Sequence, residues 1–178
     1  MVSNRPLEII MKSSLIKSLF VCLLSINFAF AENTNSIDGA APTFELAGLN
    51  KDMIRLSHYE GKVVYLDFWA TWCVPCRKSF PWMNDLLKKY QSQGLEIIAV
   101  SLDEKQKMVE NFLKRYPANF TIALDPTGKS ADLYKVRGMP SSYIIDRNGN
   151  IVETHMGFRT KDKARLEGLI ETALASSK

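Results

Sequence analysis

Residues 63–76 decide the fold of this chain and read Val-Val-Tyr-Leu-Asp-Phe-Trp-Ala-Thr-Trp-Cys-Val-Pro-Cys. Val63 to Ala70 is a β-branched and aromatic run, which is typical of a buried strand. The segment from Lys78 to Tyr90 carries apolar residues at helical spacing. Cys73 and Cys76 therefore lie between a buried strand and the start of a helix, where the helix dipole and the free N–H groups favour a thiolate over a thiol. Thiol–disulfide exchange requires this arrangement.

Other interpretations of the cysteine pair are disfavoured. A zinc site needs two further ligands, and the only histidines, His58 and His155, are not at ligand spacing. An inert disulfide would stabilise little, because Cys73 and Cys76 close a very short loop. A peroxidase is disfavoured because no cysteine lies in the Thr-x-x-Cys context that such enzymes use. We therefore expect a redox role for the pair, with no metal and no cofactor.

Outside this segment the sequence alternates between strand and helix patterns. Asn148-Gly149 is a hairpin turn between two short strands. Strands alternating with helices, followed by an antiparallel hairpin, indicate an α/β sandwich with mixed strand directions. The further predicted strands are residues 43–46, 53–56, 95–102, 121–124, 142–146 and 151–154, and the further predicted helices are residues 105–116, 131–134 and 160–175.

Two separated motifs connect the chain to a known family. Residues 67–76 resemble the active-site segment of thioredoxins, and Gly138-Met139-Pro140-Ser141-Ser142 lies downstream in the order that this family shows. With Arg77-Lys78-Ser79-Phe80-Pro81 after the cysteines, the fuller match resembles the periplasmic TlpA/ResA-like redoxins. The resemblance covers residues 41–178. It implies a thioredoxin fold, a three-layer α/β/α sandwich with a central mixed sheet, an N-terminal hairpin, and an insertion formed by the helix at 105–116 and the strand after it.

The resemblance also implies roles for three residues of the active-site segment. Cys73 is expected to be the exposed nucleophile and Cys76 the buried resolving thiol. Asp67 interrupts an apolar strand, where an unpaired carboxylate is costly, and it takes the position of the buried aspartate of thioredoxins. It is expected to accept the proton of Cys76 with a raised pKa. A solvent-facing or salt-bridged Asp67 is the alternative.

Three more residues are expected to contact the substrate. Pro140 would be a cis-proline facing the active site, and the main chain of Met139 would pair with an extended substrate peptide. An ordinary turn proline is the alternative, since X–Pro bonds are usually trans. Trp72 would cover the disulfide as a partly exposed apolar surface. Ser79 departs from the pattern, because some relatives place a glutamate there, and more of the proton transfer then falls to Asp67.

Residues 1–31 look like a secretory signal peptide. Met11 to Lys17 is basic, the following stretch is mostly apolar, and Ala29-Phe30-Ala31 supplies a small-x-small cleavage site. We expect Met11 to be the true start and cleavage to follow Ala31, which leaves a flexible segment at 32–40 and a thioredoxin-like domain at 41–178. An uncleaved membrane tether is the alternative, although the apolar stretch falls short of the about 20 residues that span a bilayer.

Export would place the protein in the periplasm, where disulfides persist. Cys22 leaves with the signal, so only Cys73 and Cys76 remain for chemistry. Removal of residues 1–31 lowers the net charge from +4 to +2, which is too small and dispersed for a nucleic-acid or membrane-surface protein. The sequence thus predicts a monomeric, exported thiol–disulfide oxidoreductase that reduces protein disulfides and is recharged by a membrane thiol-reducing electron donor. The alternatives are an oxidase of the same fold and a peptide-binding or chaperone module on a thioredoxin scaffold.

Overall fold

The computed structural model of the chain describes residues 39–176, in which helices flank a single eight-stranded sheet. Short 3-10 turns lie at Leu56–Tyr59, Gln91–Gln93 and Thr160–Asp162. The strands are β1 (Gly39–Ala40), β2 (Glu45–Gly48), β3 (Met53–Arg55), β4 (Val63–Trp69), β5 (Leu95–Ser101), β6 (Thr121–Leu124), β7 (Ser141–Ile145) and β8 (Asn150–Met156). The helices are α1 (Val74–Tyr90), α2 (Gln106–Leu113), α3 (Lys129–Leu133) and α4 (Lys163–Ala175).

The sheet is mixed, as predicted, and its order is β1-β8-β7-β4-β5-β6-β2-β3. The three strands β4, β5 and β6 run parallel, and the remaining pairs are antiparallel. Every residue of β4 is buried, because β4 lies inside the sheet and is covered on both faces. This explains why its sequence is a continuous apolar run rather than an alternating one.

Two apolar clusters fill the two faces of the sheet. On one face α1, α2 and α4 pack against the side of β4 that carries Tyr65 and Trp69. On the other face the short helix α3 and the N-terminal segment pack against the side that carries Leu66 and Phe68. The result is the predicted three-layer α/β/α sandwich with a thioredoxin fold.

The predicted insertion is present as α2 and β6. Helix α2 ends at Leu113, earlier than the predicted Tyr116. Its buried residue Phe112 packs on Trp69 with the two ring centroids 4.7 Å apart. The side chain of Asn84 ties the loop after α2 to α1 through hydrogen bonds with the carbonyl of Pro117 and the N–H of Asn119, both 2.8 Å long. The insertion is therefore part of the core beneath the cysteines.

Within the described residues, the sheet includes two residues that precede the predicted domain boundary at Ala41. Gly39 and Ala40 pair with Ile151 and Asn150 of β8, so these two residues of the segment predicted to be flexible form an edge strand. The pairing uses backbone groups of small residues, which leave no side-chain pattern to read. The predicted signal peptide, the start at Met11 and residues 32–38 lie outside the described residues. Between residues 39 and 176 no helix has the length and apolar character needed to cross a membrane.

Candidate redox site

The site lies in the loop of residues 70–73, here called the redox loop, which joins the end of β4 to the start of α1. Cys73 is the N-cap residue of α1, with extended backbone angles of φ −75° and ψ 108°. Pro75 stands in the first turn of the helix, where its missing N–H is not needed and its fixed φ suits the helix. Helix α1 therefore begins directly after Cys73, within the sequence Cys-Val-Pro-Cys.

Cys73 and Cys76 form a disulfide with their Cα atoms 5.3 Å apart. The backbone N–H of Cys76 also donates to the sulfur of Cys73 over 3.3 Å. Cys76 is fully buried, whereas Cys73 is 4% exposed. The predicted order of accessibility is present, but the prediction that Cys73 is exposed is wrong for the disulfide form, because its side chain packs within the apolar cluster under α1.

Asp67 lies inside the protein, beneath α1, and is only 1% exposed. Asp67 is two residues from both Tyr65 and Trp69 on β4, so its side chain lies on the same face of the sheet as theirs. Among the described residues its Oδ2 atom has no hydrogen-bond partner, and burial raises the pKa of this carboxyl well above its usual range. The solvent-facing alternative for Asp67 is therefore wrong.

The loop before β7 contains the predicted proline. The Met139–Pro140 peptide bond is cis, as the resemblance implied. The N–H of Gly157, which follows β8, donates to the carbonyl of Pro140 over 2.7 Å. Met139 packs against the same apolar cluster as the two cysteines. Phe68 near the end of β4 pairs with Ser141 at the start of β7, so residues 138–140, here called the proline loop, and the redox loop lie at the same end of the sheet.

Large apolar side chains are exposed at this end of the domain. Trp72 is 65% exposed and Val74 is 58% exposed, and the role of Trp72 as a cover over the disulfide stays a prediction. Met156 is 63% exposed, and its sulfur lies beside Gly138 in the proline loop. The sequence analysis did not identify Val74 or Met156.

Ser79 is fully buried, and its hydroxyl donates to the carbonyl of Cys76 over 2.9 Å. This residue therefore satisfies a backbone acceptor in the first turns of α1 and supplies no carboxyl group. Within residues 39–176, no three His, Cys, Asp or Glu side chains are grouped so that they could hold a metal ion.

A contact missed by the sequence analysis joins Thr71 of the redox loop to Asp103. The carboxylate of Asp103 accepts hydrogen bonds from the N–H of Thr71 over 2.9 Å and from its hydroxyl over 2.7 Å. Thr71 follows β4 and Asp103 follows β5, and these two strands are parallel neighbours. Because the carboxyl ends of neighbouring parallel strands lie side by side, the positions of Thr71 and Asp103 shortly after two such strands could have indicated this contact.

Comparison with known proteins places this site in context. Residues 37–154 match the AhpC/TSA family. A thiol-disulfide oxidoreductase ResA from Bacillus cereus is 42% identical over 131 residues, which cover 74% of this chain and 75% of the relative. The ResA of Geobacillus kaustophilus is 34% identical over 158 residues, which cover 87% of this chain and 91% of the relative.

Solved structures agree with the curated relatives. A thiol:disulfide interchange protein DsbE from Chlorobium tepidum superimposes with a TM-score of 0.76 at 49% identity and covers 79% of this chain and 99% of its own. The exposed lipoprotein thioredoxin of Streptococcus pneumoniae superimposes with a TM-score of 0.63 at 36% identity and covers 73% of this chain and 99% of its own.

Proposed function

The chain belongs to the AhpC/TSA family and, within it, to the ResA-like thiol–disulfide oxidoreductases, and we propose that it works as a reductase of protein disulfides. One observation carries this proposal: the Cys73–Cys76 pair begins α1 on the face of the sheet that holds the buried carboxyl of Asp67. A thiolate stabilised by a helix start and a nearby proton acceptor are the two groups that the exchange reaction needs.

The reaction starts from the dithiol form of the protein. The Cys73 thiolate attacks one sulfur of a client disulfide, forms a mixed disulfide and expels the first client thiolate. The carboxylate of Asp67 accepts the thiol proton of Cys76, and the Cys76 thiolate then attacks the Cys73 sulfur. The protein disulfide forms, the second client thiolate leaves, and two electrons have passed from the protein to the client.

Asp67 suits the role of proton acceptor because of its surroundings. A carboxylate in an apolar interior without a hydrogen-bond donor is a stronger base than one in water. Its raised pKa brings the proton affinity of the Asp67 carboxylate closer to that of a thiolate. Proton transfer from the Cys76 thiol to Asp67 is therefore less unfavourable. Ser79 offers no carboxyl group to share this task.

Clients bind to the exposed apolar surface beside the disulfide. Trp72 supplies its largest exposed side chain, and the main chain of Met139, beside the cis Pro140, pairs with an extended client strand. Main-chain pairing accepts many sequences, whereas apolar side chains favour partly unfolded clients. We therefore assign protein disulfides, rather than small disulfides alone, as the substrate class.

The reducing direction rests on the residues around Cys73. A more strongly stabilised thiolate makes a stronger oxidant, as the contrast between DsbA at about −120 mV and thioredoxin at about −270 mV illustrates. Here Val74 and Pro75 separate the cysteines, and no histidine lies between them to stabilise the thiolate further. The pair should therefore have a potential nearer to that of thioredoxin.

A reductase outside the cytoplasm needs a source of electrons. We assign the protein to the periplasm, with cleavage after Ala31, and assign its recharging to a membrane thiol-reducing donor, because the periplasm is kept oxidising. It works as a monomer. N-terminal sequencing of exported material should begin at Glu32. Recovery of residues before Ala29 would contradict cleavage and favour the membrane tether.

An insulin-reduction assay tests the function. The reduced protein should reduce insulin disulfides, Cys73→Ser should abolish the reaction, and the potential measured against glutathione should lie nearer −270 mV than −120 mV. Insulin reduction at the uncatalysed rate by both the parent and Cys73→Ser would identify a peptide-binding module with incidental cysteines. A potential near −120 mV would identify an oxidase.

A further inference from the structure

The side chain of Asp103 accepts three hydrogen bonds at the edge of the redox site. Its carboxylate accepts the two bonds from Thr71 and one from the Ser101 hydroxyl over 2.9 Å. Asp103 is only 4% exposed. Burial of a carboxylate is unfavourable unless hydrogen-bond donors satisfy it. The bonds from Thr71 therefore stabilise the buried side chain of Asp103 and join it to the redox loop, which carries the nucleophile Cys73.

Among residues 39–176, the redox loop makes few other hydrogen bonds. The N–H of Cys73 donates to the carbonyl of Ala70 over 3.0 Å, which is a bond within the loop itself. Arg77 of α1 approaches the carbonyl of Thr71 at 3.5 Å, at the limit of hydrogen bonding. The two short bonds to Asp103 are therefore the strongest polar contacts that join the loop to a neighbouring strand.

These bonds matter unequally in the two redox states. In the oxidised protein the disulfide itself ties Cys73 to the first turn of α1. In the dithiol protein that covalent tie is absent, so the loop depends more on its remaining contacts. We propose that Asp103 is a positioning residue that acts through Thr71 to hold the reduced redox loop at the start of α1.

This inference rests on thiol–disulfide exchange at Cys73 and Cys76 but not on its direction. If the contact between Asp103 and Thr71 stabilises mainly the dithiol form, its loss destabilises that form more than the disulfide form. The pair then becomes harder to reduce, and its potential becomes more negative. A loosened loop also presents Cys73 less accurately, so the rate of insulin reduction falls.

The charge of Asp103 alone has the opposite effect. A carboxylate near Cys73 repels its thiolate, and Arg77 on α1 attracts it. Removal of the carboxylate charge without any effect on the loop would favour the thiolate and make the potential less negative. Thr71→Val keeps the carboxylate charge of Asp103 and removes one hydrogen bond. Comparison of Thr71→Val with Asp103→Ala therefore separates the effect of the hydrogen bonds on the loop from the effect of the charge.

Asp125 offers a matched control on the neighbouring parallel strand. It follows β6, is 1% exposed, and accepts bonds from the N–H and the hydroxyl of Ser130 over 2.7 Å and 2.6 Å. These bonds hold α3 and not the redox loop. Asp125→Ala should therefore destabilise both redox forms equally and leave the potential unchanged.

The test uses the purified protein with Asp103→Ala, Thr71→Val, Thr71→Ser and Asp125→Ala. The potential is measured against glutathione, and denaturant unfolding is measured in both redox forms. We expect Asp103→Ala to shift the redox equilibrium constant about tenfold, or about 30 mV more negative, and Thr71→Val to shift it several-fold in the same direction. Thr71→Ser, which keeps the hydroxyl, and Asp125→Ala should match the parent within about twofold.

Two results would overturn the proposal. Equal destabilisation of both redox forms with an unchanged potential would make Asp103 a purely structural residue. A less negative potential in Asp103→Ala would mean that charge dominates. If Asp103→Ala does not fold, Thr71→Val and its Thr71→Ser partner decide by the same criteria. Insulin reduction by the parent protein reports separately on the proposed function.

Discussion

The backbone N–H of Cys76 donates a hydrogen bond to the sulfur of Cys73 across 3.3 Å. Cys73 is also the N-cap residue of α1, so its sulfur occupies the position where oxygen-bearing side chains cap other helices. Negative charge on that sulfur is stabilised by the positive end of the helix. Cys76 lies inside the first turn and is fully buried. The two thiols therefore differ in reactivity.

This difference predicts the fate of single-cysteine variants. In Cys76→Ser the mixed disulfide has no resolving thiol, so client proteins should accumulate on Cys73. Non-reducing electrophoresis with mass spectrometry detects them, and Cys73→Ser should trap none. Faster alkylation of Cys76 than of Cys73 in the reduced parent at neutral pH would reverse the assignment.

Asp67 predicts a pH-dependent stability. Burial raises its pKa in the folded protein above the value of about 3.9 in an unfolded chain, so the folded state binds the proton more tightly. The free energy of unfolding should fall as pH rises from about 4 through the raised pKa, by about 1.4 kcal/mol for each unit by which the pKa is raised. Asp67→Asn removes this fall and should be more stable than the parent at pH 8 in denaturant unfolding.

Asp125→Asn is the control for that experiment. At Asp125 burial favours the neutral form, but hydrogen bonds from Ser130 and Thr127 outweigh it and hold the pKa of this carboxyl below its usual value. This contribution to stability is present above pH 4 and is lost as pH falls through the lowered pKa. Asp125→Asn should therefore be less stable than the parent at pH 8. A stability of Asp67→Asn below that of the parent at pH 8 would contradict the burial argument.

Asp67→Asn should also slow catalysis. Loss of a proton acceptor for Cys76 should lower the rate of resolution by about 100-fold near neutral pH, and hydroxide should recover part of the rate as pH rises. Stopped-flow measurement of mixed-disulfide decay gives the profile. An unchanged pH–rate profile would reduce Asp67 to a structural residue.

The aromatic cluster under the redox site predicts a large stability effect. Phe112 of α2 contacts Trp69 and Phe80 with ring centroids 4.7 and 5.0 Å apart and is 1% exposed. Phe112→Ala should reduce the free energy of unfolding by about 3–5 kcal/mol. Met108→Ala on the same helix, where the side chain is 43% exposed, should change it by less than about 1 kcal/mol. Similar losses in both variants would mean that α2 does not contribute its predicted core face.

The exposed indole of Trp72 predicts a substrate-dependent effect. Trp72→Ala should raise KM for insulin several-fold while leaving the reduction of a small disulfide such as oxidised glutathione nearly unchanged, because only a polypeptide covers the surrounding surface. Leu133→Ala, at an exposed leucine on α3, should alter neither. An equal loss of rate with both substrates would mean that Trp72 acts on Cys73 itself and not on the client.

Local patterns predicted most of the fold. The apolar run at 95–102 and the Asn148-Gly149 turn have strong short-range signatures, and β5 and the β7–β8 hairpin lie where those signatures indicate. Strand β1 was missed because two small residues at a sheet edge carry no apolar alternation. The predicted helix at 105–116 extended one turn too far, since α2 ends at Leu113.

The site was predicted where the family motif is contiguous. Cys73, Cys76, Asp67 and the cis Pro140 were identified from two short motifs, whereas the contact between Asp103 and Thr71 joins residues 32 positions apart. Such a contact depends on β4 and β5 being parallel neighbours, and the sequence analysis did not compare the polar residues that follow these two strands. The degree of exposure of Cys73 was missed because the packing around it comes from distant elements.

The redox state of Cys73 and Cys76 in living cells tests the central claim most directly. Cells that express the protein are quenched with acid to trap thiols, alkylated with a mass-shifting reagent and analysed by electrophoresis. A reductase recharged by a membrane donor should show both cysteines mostly as free thiols, and these should become a disulfide when the reducing pathway is removed. A protein found mostly as the disulfide in cells with that pathway intact would contradict the reducing direction and identify an oxidase.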